Sequence, residues 1–309
     1  MNIPVADGHC DFLYGMWQSG YNIDTLRENQ TIHLPYLKQG GVALQFFAAW
    51  VDSALKTPPL QQCLGMIDAY DRMLEKHGDI FVPFSRSFDP ASGRIATVLT
   101  VEGGEAIEGS LAVLRVLKRL GVCAMTLTWN SNNELAGAAA AFGNKGLTSL
   151  GREAVEEMER IGIAVDVSHL SDAGIDDLLS STSVPIFASH SNARAVYNCP
   201  RALKDAHIRG IADRGGVIGV NFFYKQLSPR DEAHIDDIVR HILHIVKIGG
   251  VGCCAIGSDF DGMTKYPEDL KNSAMMQSLL TALQDAGLSR EDVERIAYKN
   301  LAEYILRFV

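Results

Sequence analysis

Val5-Ala6-Asp7-Gly8-His9-Cys10-Asp11-Phe12 begins as an apolar β-strand and ends in side chains able to bind metal. Side chains two apart in a strand share a face, so this spacing projects Asp7, His9 and Asp11 together. A hydrogen-bonded core histidine would account for His9 alone. It does not account for His9 with Asp11, because buried carboxylates are costly unless something offsets their charge. A divalent ion does so, and imidazole with carboxylate is a suitable donor set. The remaining ligands must then come from elsewhere in the chain.

Similar apolar segments recur through all 309 residues: 41–50, 95–101, 122–128, 163–167, 185–189, 216–221 and 253–257. With the first they make eight strands. Between them run stretches with helical periodicity, at 60–76, 110–120, 148–161 and 235–248, and then in the tail at 270–286, 289–297 and 300–308. Thr148 is a candidate N-cap with Gly162 as its C-terminal stop, and Ser289-Arg290-Glu291-Asp292 is a near capping box. Eight strands alternating with helices predict a (β/α)₈, TIM-like barrel of the metal-dependent hydrolase type, with a doubly wound open sheet as the alternative. No Pro-, Gly- or Ser-rich linker divides the chain and no internal repeat appears, so residues 1–309 read as a single domain.

The totals exclude several classes. A net charge of −9 argues against nucleic-acid and anionic-membrane partners. The first residues lack the basic and apolar regions of a signal peptide, and no apolar run approaches the ~20 residues of a membrane span. Six cysteines without a CxxC pair read as reduced thiols, which predicts a cytoplasmic protein. The helices are ordinary enough to admit a homodimer without marking its face. Gly250-Val251-Gly252-Cys253 precedes a strand and is therefore no dinucleotide fingerprint. His241 and His244, set among Arg240 and Lys247, read as a solvated helix face.

In a barrel the carboxyl ends of the strands build the active site. Here those ends carry His9 and Asp11, Glu102, His169, His190, and Asp259 with Asp261. Any one of them has a structural explanation as a cap or a core histidine; five strand ends together point to a site. The set suits Zn²⁺, Mn²⁺ or Fe²⁺, and the absence of cysteine argues against a structural thiolate zinc. One catalytic zinc seldom takes five protein ligands, whereas two ions sharing a carboxylate would use them all, and such pairs activate water for hydrolysis.

The motifs Asp7-Gly8-His9-Cys10-Asp11, Glu102-Gly103-Gly104, Ser168-His169, Ser189-His190-Ser191-Asn192-Ala193 and Gly257-Ser258-Asp259-Phe260-Asp261-Gly262 resemble the renal (membrane) dipeptidase family, the M19 type, in order and spacing across the chain. The resemblance implies a barrel holding two zinc ions and cleaving dipeptides, including those with a D-residue at the second position. It implies that His9, Asp11 and Glu102 hold one Zn²⁺ and that Glu102, His169 and His190 hold the other, with Glu102 bridging. It further implies that Arg201 holds the substrate carboxylate and that Asp259 transfers protons. One departure is plain. Family members from mammals carry a histidine after the fourth strand that contacts substrate, whereas this chain reads Thr126-Leu127-Thr128-Trp129-Asn130-Ser131-Asn132. Trp129, Asn130 and Asn132 are the nearest substitutes, and Trp129 and Asn132 are taken as substrate-binding candidates. Two other readings share these residues: another amide or lactone hydrolase on the same barrel, and a metal-retaining binding protein without turnover.

Overall fold

The computed structural model of the protein describes residues 3–182 and 184–309. Its strands are β1 (Val5–Asp7), β2 (Val42–Trp50), β3 (Phe81–Pro83), β4 (Ile95–Glu102), β5 (Val122–Thr126), β6 (Ala164–Asp166), β7 (Ile218–Val220) and β8 (Cys254–Ile256). All pair in parallel, in the order β6-β5-β4-β2-β1-β8-β7, with the short β3 added to the start of β4. Segment 185–189, expected as a strand, contributes only two isolated bridges, Asp166 to Phe187 and Ala188 to Ile218. Those bridges join β6 to β7 and complete the barrel. β3 was not anticipated: three residues ending in proline carry too little alternation to be read as a strand.

β2 and β4 are buried almost throughout, as expected for parallel strands covered on both faces. Their side chains sort by parity. Leu44, Phe46, Ala96 and Val98 fill the barrel interior with Ala6, Ala124, Ala164, Phe187 and Ala255. Phe47, Leu99 and Val101 face the surrounding helices. Glu102 has the parity of Ala96 and Val98, so β4 delivers its carboxylate to the interior at the carboxyl end. The opposite end is closed by the C-terminal residues Tyr298, Leu301, Tyr304 and Phe308. Tyr304 there donates to the Pro185 carbonyl at 2.9 Å.

The helix Ser149–Ile161 starts where expected, with Thr148 Oγ1 accepting from Gly151 N, and stops at Gly162, which has φ +75°. Ser289 likewise caps Arg290–Glu294 by accepting from Asp292 N. The tail differs from expectation: 270–272 is not helical, and a π-turn at Arg295–Lys299 separates two short α-helices. Helices Phe12–Ser19, Leu34–Gly40, Asp172–Ser181 and Asp205–Asp213 lie where the periodicity was too short to name them. Among the described residues no helix is long and apolar enough to cross a membrane. Cys10, Cys63, Cys253 and Cys254 are buried, Cys123 and Cys199 partly so, and all six are free thiols.

His241 corrects the solvated-face reading. It is fully buried, Nδ1 facing Ala193 N at 3.1 Å and Nε2 facing the Leu227 carbonyl at 3.0 Å. Those contacts fix a neutral ring that accepts at Nδ1 and donates at Nε2. His244 pairs with Asp205 at 2.7 Å.

Candidate metal centre

β1 ends at Asp7, two residues short of the histidine it leads to. Ala6 faces the barrel interior, so a continued strand would turn His9 away from it. Instead the chain leaves the strand at Gly8, where a Cβ would lie 2.9 Å from the Ser189 carbonyl oxygen. This change of parity brings His9 into the barrel mouth and separates it from Asp7. Asp7 is not in the ligand cluster, contrary to the shared-face reading. It accepts from Ser258 N at 2.8 Å and Ser258 Oγ at 2.6 Å, tying β1 to β8.

Three groups of ligand atoms converge at the mouth: His9 with Asp11 and Glu102, Glu102 with His169 and His190, and His9 with His190 and Asp259. Glu102 is central. Its Oε2 lies 3.3 Å from His9 Nε2, and its Oε1 lies 2.9 Å from His169 Nε2 and 3.5 Å from His190 Nε2. His9 Nε2 is 3.6 Å from Asp11 Oδ2, and the Nε2 atoms of His169 and His190 are 3.0 Å apart. Two ligand atoms each ~2.0–2.2 Å from one tetrahedral ion would be about 3.3–3.6 Å apart, so these spacings suit ligands drawn together on a shared ion. His9 Nε2 and Asp11 Oδ1 are also buried without a hydrogen-bond partner, and coordination would satisfy both. The residues fit divalent metal.

Charge agrees with geometry. Burial pulls His9 down, yet Glu102 and Asp11 outweigh it and hold the ring well above its ordinary pKa. Burial pushes Glu102 up, but His9 and His169 hold it well below the usual carboxylate range. Without ions a protonated His9 balances the carboxylates, and a cation bound there replaces that proton. Burial, with Arg201 beside it, lowers His169 to about 4, and burial with His9 depresses His190 as well. Both rings are therefore neutral near pH 7, as ligands must be.

Asp259 lies 3.9 Å from His9 Nε2 and accepts from Asn221 Nδ2 at 2.9 Å. Burial pushes its carboxyl up to about 7; His9 opposes this shift, and Asp11 and Glu102 add to it. Three of the six non-glycine residues with positive φ among those described are His169, Asp259 and Asp261. Asp261 turns away from the cluster and anchors the chain 31–32, accepting from Thr31 N and Oγ1 and from Ile32 N. Behind the histidines, Asp166 accepts from the backbone of both Ser168 and Ser189 and from Thr126 Oγ1, fixing the turns that carry His169 and His190.

The cluster opens into a cleft of ≈ 540 Å³. Tyr14, Trp50 and Trp129 form one wall, with centroids 4.6 Å apart for Tyr14–Trp50 and 4.8 Å for Trp50–Trp129. Arg201, Phe223 and Lys225 also line the cleft. The bridge between Ala193 and Leu203 returns the loop toward His190, leaving Arg201 Nη2 3.4 Å from the His190 carbonyl oxygen. Arg201 Nε is buried and unpartnered. Asn132, a substrate-binding candidate, does not line the cleft. Its side chain is committed to the loop and accepts from Ala138 N at 2.9 Å. The sequence reading missed Asn221, Tyr14 and Trp50. Asn221 could have been found as the polar end of the seventh strand, whereas the other two sit in apolar contexts that give no signal.

A parallel barrel with a buried His/Glu/Asp cluster at the carboxyl mouth defines a metal-dependent hydrolase scaffold. The chain belongs to the membrane dipeptidase family (peptidase family M19), which it matches over residues 1–306. It is 33% identical to an uncharacterised dipeptidase of Schizosaccharomyces pombe over 97% of this chain and 80% of that protein. It is 30% identical to the dipeptidase AclJ of Aspergillus oryzae over 97% and 76%. A crystal structure of a metallopeptidase from Rhodobacter sphaeroides, liganded with a phosphinate mimic of L-Ala-D-Ala, superposes with a TM-score of 0.91 at 25% identity, each chain covered fully (100%). The chain is accordingly a metal-dependent dipeptidase of this family.

Proposed function

We propose that the protein is a binuclear zinc dipeptidase whose substrates include dipeptides with a D-residue at the C-terminal position. The observation that carries the proposal is the double engagement of Glu102, one oxygen toward His9 and the other toward His169 and His190. The likeness to a structure liganded with an L-Ala-D-Ala mimic supports the stereochemical part.

Two divalent ions at this place would lower the pKa of water and polarise the scissile carbonyl. The protein's own residues do the rest. Arg201 pairs its guanidinium with the substrate's free carboxylate, which limits substrates to those whose C-terminus lies one residue from the cleaved bond. Asp259, held by Asn221, takes a proton as the water oxygen joins the carbonyl carbon. It returns that proton to the amine nitrogen as the C–N bond breaks, giving two amino acids. Tyr14, Trp50 and Trp129 line the same cleft as Glu102 and give it an aromatic wall. Six free thiols support a cytoplasmic location.

The test is metal analysis of unchelated, active protein together with turnover of L-Xaa-D-Xaa and L-Xaa-L-Xaa dipeptides. Close to two zinc ions per chain and cleavage of both series are expected. Active protein with a single ion ends the binuclear reading.

A further inference from the structure

Histidine ligands work only in one tautomer, and something must choose it. His169 and His190 each have Nδ1 against an oxygen: Asn130 Oδ1 at 2.9 Å and Ser189 Oγ at 2.8 Å. The two arrangements differ in kind. Ser189 is buried behind the centre, and its hydroxyl can donate or accept. Asn130 lines the cleft, and its amide has one accepting and one donating end.

That asymmetry has a consequence for the ligand set. With the amide oxygen toward His169, Nδ1 carries the proton and the Nε2 lone pair points at the cluster. With the amide nitrogen there, Nδ1 would have to accept, and the neutral ring would carry its proton on Nε2, 2.9 Å from Glu102 Oε1. The first orientation allows coordination and the second blocks it. His169 also sits on left-handed backbone, φ +67°, and Asn130 is the partner of its Nδ1.

We infer that Asn130 is a positioning residue of the metal centre: its amide oxygen holds His169 in the Nδ1–H tautomer, setting how tightly the Glu102–His169–His190 ligands retain their ion. The inference rests on reading those three residues as ligands. It adds a role for the loop after β5, where this chain has Trp129-Asn130.

The experiment measures zinc release from the full-length, Zn²⁺-loaded protein to a chromophoric chelator. It uses the wild type, Asn130→Ala, Asn130→Asp and, as reference, His169→Ala. Asn130→Ala should release one of the two ions about 10–100-fold more readily, the range for loss of such an outer partner. The other ion should be unchanged. Asn130→Asp keeps an acceptor for the same N–H and should hold zinc at least as tightly as wild type. Wild-type retention by Asn130→Ala overturns the inference. So does release from Asn130→Asp as fast as from Asn130→Ala, which would mean that shape and not the acceptor matters. If Asn130→Ala does not fold, Asn130→Asp decides alone, and weaker binding than wild type overturns the inference. Unaltered zinc release by His169→Ala would instead remove the ligand reading, and this inference with it.

Discussion

Asp259 and His190 stand within the same few ångströms yet are assigned different work, and substitution separates them. Asp259→Asn is nearly isosteric but cannot take up a proton at neutral pH. It should keep both ions and lose turnover by about 10²–10⁴-fold. His190→Ala opens a coordination shell and should lose an ion as well as activity. Metal content and turnover measured on both variants check this; loss of metal from Asp259→Asn would make Asp259 a ligand, which its place near His9 and His190 also permits. Arg201 can be tested in the same way. With its Nε buried and unpartnered, truncation to Ala should weaken binding of dipeptide acids by about 2–5 kcal/mol. C-terminal amides should be poor substrates of the wild type, and equal rates on acids and amides would remove Arg201 from the site.

At the scale of elements, the helix Ile235–Gly249 presents His241 to the turn after His190 and is built around a neutral imidazole. Burial lowers that ring to about 4, against an ordinary value near 6.5. The folded protein therefore disfavours the proton that the unfolded chain accepts. The ring's contribution is intact above pH ~6.5 and is lost as pH falls toward about 4, by up to about 3 kcal/mol. Urea unfolding of chelator-treated wild type and His241→Gln between pH 7 and 4.5 checks this, with wild type expected to lose stability more steeply. Parallel curves would show that His241 does not titrate as its burial implies. Strands were legible where alternation or apolar runs were long, as in β2 and β4. Segment 185–189 also carries a short apolar run, yet it pairs only through single bridges at Phe187 and Ala188.

For the whole molecule, the two ends of the barrel do separable jobs. The C-terminal residues close the end opposite the His/Glu/Asp cluster, with Tyr304 fully buried against Phe187 at a centroid distance of 4.9 Å. Tyr304→Ala should cost about 3–5 kcal/mol of stability through the cavity it leaves. The metal ligands should remain in place. Urea unfolding with metal analysis of the same variant checks both parts; loss of zinc from a still-folded variant would show that the ends are coupled. Conversely, stripping the ions should lower the unfolding temperature, since a ligand that binds only the folded state stabilises it by mass action.

The alternation of strands and helices, which admits a barrel or an open doubly wound sheet, and the identity of the residues at the strand ends were legible in the sequence, because apolar periodicity and polar side chains are local properties of the chain; closure of the barrel was not. His9, Asp11, Glu102, His169, His190 and Asp259 could all be named from it. Their mutual geometry could not. Whether Asp7 joined them depended on where β1 broke, and that was decided by the close approach of Gly8 to Ser189, 181 positions away in sequence. Asn132 could be told from Asn130 only once the loop had folded and turned one amide to its own backbone and the other to His169. His241 looked like a surface residue until the packing of Ala193 and Leu227 buried it. Apart from the contact of Asn132 with Ala138 in the same loop, the deciding contacts join segments distant along the chain, and no local pattern encodes them.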